Sequence, residues 1–244
     1  MDSNNFLVFG DSMKKRIEQY KAKLAKGEKK VLIEYEPSIL EFLDAIDKKG
    51  ALNVVFSDWQ INRLMNLVTT SNLPVNLCNS FSNIFDGDLS KMESRVEQLE
   101  KDGLKINPFQ YGTLLCHSYQ VMSERLKMHL VTIIDFDELG MRNADSKPLG
   151  TLVHKLKQEF PGNKFIEYLD TKIRNAVTHY TYYFEPGRLN TLYLCKGYFD
   201  PTPVEMKLAD FIMESKKLNI LTESFFIIYL DNYHDDGDLH LEEI

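Results

Sequence analysis

The stretch that most constrains this chain is residues 109–134, FQYGTLLCHSYQVMSERLKMHLVTII. Its apolar positions Leu114, Leu115, Val121, Met122, Leu126 and Leu130 return at helical spacing over a run far longer than an ordinary strand. A helix with so broad an apolar face must bury it against other helices, so the segment predicts a bundle. Pro108 is a natural first residue for it. No stretch of the chain approaches the roughly 20 apolar residues that a membrane span needs.

The segments after it also read as helical. LGTLVHKLKQEF, from Leu149 to Phe160, is a second helix closed by Pro161 and Gly162, and residues 163–184 predict a third, stopped by Pro186 and Gly187. RLNTLYLCKGYFD reads as a hairpin or irregular cover, and PVEMKLADFIMESKK and LTESFFIIYLDNY as two further helices. The expected fold is therefore mainly α, with a helical bundle over 108–230 and an acidic tail over 231–244. The preceding 1–100 reads as a smaller α or α/β unit. Helices are expected at 11–26, in SILEFLDAIDKK and in WQINRLMNLV. Short apolar runs near 31–35, 52–56 and 75–78 lean towards strands because Val and Ile concentrate there. Residues 80–107 read as a turn-rich join with one charged helix.

The formal charge of -7 and pI near 5.4 argue against a protein that coats duplexes, yet allow a local basic site. Cys78, Cys116 and Cys195 are too scattered for a disulfide framework, and the six histidines include no H-x-x-x-H pair. Phosphate-cradling glycine motifs are absent from the sequence, so no metal and no nucleotide cofactor is expected. The opening MDSNNFLVFGDS is not a signal peptide by composition, and the expected location is a reducing cytoplasm.

On a helical wheel Ile166, Leu169, Ile173, Val177, Tyr180 and Phe184 make one apolar stripe, while Arg174, Asn175 and His179 fall on the flanks of the opposite side. The arginine and histidine straddle a polar face rather than stacking, which suits a site completed by another element or by a second copy about a two-fold axis. The run KIRNAVTHYTYYF resembles the signature of the HEPN superfamily, the "higher eukaryotes and prokaryotes nucleotide-binding" domains. Its ribonuclease members carry Arg, a short spacer and His, commonly with Asn after the Arg. Arg174, Asn175 and His179 match that pattern, and the likeness covers roughly residues 108–195.

The resemblance implies metal-independent cleavage of single-stranded RNA by a homodimer, with a role in stress response or phage defence. The residue types fit that chemistry. Histidine has an ordinary pKa of about 6.5 and transfers protons near neutrality. Arginine keeps its charge and offers several donors to a phosphoryl group. Glu124, on the first bundle helix, is a candidate support for Arg174 if that side of the helix faces the site. Lys155, Lys157 and Lys172 belong to a locally basic stretch suited to RNA, and Tyr182 is the expected base-stacking ring. Two other readings use the same residues: a non-catalytic RNA- or nucleotide-binding module, and a structural or toxin-neutralising protein acting through its acidic surfaces.

Overall fold

The computed structural model describes residues 22, 26–53, 108–169, 171–185, 188–197 and 199–233. The helices expected at 11–26 and in WQINRLMNLV, the strand near 75–78, the charged helix of the join and the acidic tail lie outside these residues, wholly or in large part. The architecture is a mostly α-helical bundle carrying one small sheet. Its elements are α1 (Lys26–Lys48), α2 (Pro108–Ile133), α3 (Leu149–Glu159), α4 (Lys164–Tyr168), α5 (Thr171–Thr178), β1 (Tyr182–Glu185), β2 (Arg188–Leu194), β3 (Val204–Lys207) and α6 (Leu208–Tyr233).

The helix α1 corrects the first expectation. VLIEYE is helical, not a strand, and the helix runs through Pro37. Leu32, Tyr35, Ile39, Phe42, Leu43 and Ile46 are all buried at three- and four-residue spacing, and this long stripe outweighs the local β propensity and the lost donor at Pro37. A Schellman motif ends the helix: Ala51 N–H reaches Ile46 O at 3.1 Å and Gly50 N–H reaches Asp47 O at 2.8 Å, with Gly50 at φ 66. Beyond it, Leu52 makes an isolated antiparallel bridge to Ile134 rather than starting a described strand.

One core joins α1 to the carboxy-terminal elements. Phe42 of α1 meets Phe160 edge-on at 5.2 Å, Phe165 at 5.9 Å and Phe225 of α6 at 6.1 Å, and Phe165 stacks on Phe225 at 5.3 Å. Removing a ring this buried would cost roughly 3–5 kcal/mol. Ser38 and Asn163 lock α1 to the start of α4. The Asn163 carboxamide oxygen caps α4 by accepting from Ile166 N–H at 3.1 Å, its amide donates to Ser38 O at 2.9 Å, and Phe165 N–H donates to Ser38 Oγ at 2.6 Å.

The single helix expected over 163–184 is three elements. Leu169 ends α4, α5 stops at Thr178, and Tyr182 begins a strand. The strand pairs with β2 in an antiparallel hairpin, with β3 on the far side. Phe184, Leu192 and Met206 share a register position and face the core, while Tyr183, Tyr193 and Glu205 lie on the outer face. VEMK, read as helical, supplies β3, and the two helices expected after it are the one helix α6.

Candidate functional site

The end of α5 sets the geometry. Thr181 N–H reaches Ala176 O at 2.9 Å and Tyr180 N–H reaches Val177 O at 3.3 Å, a second Schellman motif. His179 is thus the last half-helical residue, its own N–H bonded to Asn175 O at 3.0 Å, and its side chain is exposed. Tyr180 occupies the left-handed position at φ 55, where glycine is usual. The wheel placed Tyr180 in the core; with the helix ending before it, the ring is 69% exposed instead.

Arg174, five residues earlier, is buried at 9% exposure. Its Nη2 donates to Glu124 Oε1 of α2 at 2.8 Å, and its Nη1 donates to Asn175 Oδ1 at 3.3 Å. The Glu124 side chain stays 44% exposed, so the pair reaches the surface through its acidic member. Asn175 therefore engages Arg174 with its side chain and His179 with its backbone. Two buried polar atoms on this side of α5 lack a hydrogen-bond partner: Arg174 Nε and, four residues on, Thr178 Oγ1. Such atoms are uncommon in native interiors and call for a physical explanation.

A cavity of about 30 Å³, room for a water or two, is lined by Arg174, Ser123, Tyr168 and Glu214 among others. Tyr168 donates to Glu214 Oε2 at 3.0 Å, and burial, then the Glu214 carboxylate, pushes its hydroxyl well above the usual range. Nothing in the sequence links Tyr168 and Glu214 to Arg174, because their separation along the chain carries no periodic signal.

The remaining candidates are not gathered with Arg174. Lys155 is bonded to Glu159 at 2.7 Å, and Lys157 lies 3.4 Å from the Glu167 carboxylate and donates to the Glu167 carbonyl at 3.1 Å. Lys164 pairs with Glu34 at 2.8 Å. Much of the local positive charge is thus balanced on the spot, although such surface pairs are weak and exchange partners readily. Lys172 is exposed on α5. Tyr182 is not an open stacking surface. It is half-buried on the inner side of the sheet, with its hydroxyl at Cys116 and Thr113, and burial pushes that hydroxyl up to about 12. The exposed rings are its neighbours Tyr180 and Tyr183.

Among the described residues no group of three or more His, Cys, Asp or Glu side chains is placed to hold a metal ion, and no helix is long and apolar enough to cross a membrane. Comparison with protein-family models, curated proteins and solved structures finds no match to this chain.

Proposed function

We propose that the chain is a metal-independent endoribonuclease of the HEPN type, acting on single-stranded RNA through Arg174, Asn175 and His179. The observation that carries this reading is the arginine. Its buried guanidinium is held by Glu124, which reaches the surface, and by Asn175. It keeps one buried N–H without a partner, and Arg174 stands five residues before an exposed imidazole. A held cation and an exposed imidazole on one helix are the two residue types that phosphoryl transfer asks of a protein.

In the proposed reaction the 2'-hydroxyl oxygen bonds to the adjacent phosphorus as its proton passes to an imidazole. The bond from phosphorus to the 5'-oxygen breaks, and that oxygen takes a proton from an acid. Arg174 stabilises the charge on the phosphoryl oxygens between these events. One imidazole per chain supplies only one of the two proton-transfer groups, and a homodimer with facing His179 side chains supplies both. The products are a 2',3'-cyclic phosphate and a 5'-hydroxyl. Stress response or defence against phage is the biological setting carried over from the resemblance, and an antitoxin-like protein is the matching partner class.

Product chemistry tests the proposal. Purified protein in EDTA should cut single-stranded RNA and leave cyclic phosphate ends detectable by mass analysis. RNA methylated at each 2'-oxygen should bind and stay intact. Binding without cleavage would move the chain to the non-catalytic module reading, in which the Arg174–Glu124 pair braces α5 against α2. Capture of a protein partner with no RNA affinity would favour the toxin-neutralising reading.

A further inference from the structure

Tyr180 stands where a tyrosine gains least. The left-handed position after a helix is the one glycine fills without strain, and a side chain there is rewarded only by contacts. This ring makes few, being 69% exposed. Tyr183 lies four residues beyond His179, so the two are within about 14 Å of each other along the chain. Tyr183 is itself 47% exposed and stacks on Tyr193 across the hairpin, with ring centres 4.8 Å apart and planes 11° apart. Tyr193 stands in register with Glu205 on the same outer face, and Lys207 lies on that face one position along β3.

The surroundings favour a polyanion over an apolar partner. Among the described side chains of residues 171–207 that reach solvent, Lys172, Lys196 and Lys207 outnumber the acids Asp200 and Glu205, within a chain of net charge -7. One of those acids, Asp200, accepts from the Lys196 and Thr202 backbone N–H groups at the surface. Flat exposed rings with lysines nearby are the elements by which proteins hold unpaired bases without reading their sequence.

We propose that Tyr180 and the Tyr183–Tyr193 pair form a stacking platform for unpaired nucleobases, placing the strand so that its backbone passes His179. This site does not use the half-buried Tyr182 ring and deepens the ribonuclease reading, on which it rests for the identity of the strand. A base would extend the existing stack on the solvent side of Tyr183.

The test uses the whole protein and a 2'-O-methyl oligoribonucleotide, which cannot be cut. Replacing Tyr183 by Thr keeps strand propensity and removes the ring, and should weaken binding about tenfold. Tyr183→Phe keeps the ring and should bind as wild type does. Tyr180→Gly should weaken binding while raising the unfolding midpoint, because glycine relieves the backbone. An oligomer carrying abasic positions should lose affinity for the wild-type protein and show no further loss with Tyr183→Thr, a comparison that holds even if a variant folds poorly.

Equal affinities of wild type and Tyr183→Thr would overturn the platform, as would no binding of the oligomer at all. So would conversion of a dimer to a monomer by Tyr183→Thr in light scattering, which would assign the face to a second copy. Ring-dependent binding by a protein that never cuts RNA keeps the platform and removes the nuclease reading. His179-dependent cutting with ring-independent binding does the reverse.

Discussion

Two arginine–glutamate pairs with a histidine close by in sequence start from adjacent residues of α2, and they differ in nearly everything else. Arg125 is 3% exposed and pairs with Glu223 of α6; His129, one turn on, is fully buried, stacked on Phe226 at 4.7 Å and bonded through Nδ1 to Thr222 O at 3.2 Å. Glu124 turns the other way, as neighbouring helix positions must, and meets Arg174, whose histidine is exposed at the end of α5. Burial, then the Arg125 charge, hold the His129 imidazole down at about 3, so it stays neutral at any ordinary pH. The same side-chain types thus make a largely buried strut between α2 and α6 in one place and, in the other, a pair that reaches solvent through Glu124 with an exposed histidine at the end of the same helix as its arginine. Access to solvent separates the two, and residue type and spacing alone do not.

The largest effect that sharpens this contrast falls on the buried pair. Arg125→Met should destabilise the protein by about 3–5 kcal/mol, because it leaves the Glu223 carboxylate in a place where burial already raises its pKa. The double change Arg125→Met with Glu223→Leu should recover most of that loss in urea unfolding. If the single change were harmless, the strut would not carry the stability assigned to it.

A smaller effect comes from His129 itself. Its folded pKa lies below the unfolded value, so its contribution is complete above about pH 6.5 and is lost as pH falls towards 3. Between pH 7 and pH 5 wild type should lose about 2 kcal/mol through this group. His129→Gln should remove that part of the slope, and parallel stability curves for the two proteins would contradict it. Smaller still is the Glu124 pair, which is half open to water. Glu124→Gln should lower stability by about 1 kcal/mol or less while reducing RNA cleavage, since Arg174 loses its anchor. A loss of stability as large as that of Arg125→Met would make the two pairs alike and erase the distinction.

The bundle was legible because long apolar periodicity over 109–134 and 149–160 leaves no other structure that buries those faces. Arg174, Asn175 and His179 stood out through the resemblance of their run to the HEPN signature; the wheel set Arg174 on the polar side, whereas its contact with Glu124 of α2 buries it. The break after Thr178 was not legible. Tyr180 and Phe184 continue the helical stripe on a wheel, yet Thr181, Tyr182, Tyr183 and Phe184 are all strand-prone, and pairing with β2 decided between the two. VLIEYE failed the other way, since six residues of apparent alternation hid inside a 23-residue helix whose face continues to Ile46. The Arg174–Glu124 contact was readable only as a guess at which side of α2 would face α5, because contacts between distant segments leave no local trace.

The most direct measurement pairs activity with stability in His179→Ala. His179 is exposed and lies outside the core, so the variant should unfold close to the wild-type midpoint. Its cleavage of single-stranded RNA in EDTA should fall by about 10²–10⁴, the usual loss when a proton-transfer group is removed. Undiminished cutting by His179→Ala, or cutting by wild type only when Mg²⁺ is added, would contradict the account even with the helical bundle intact.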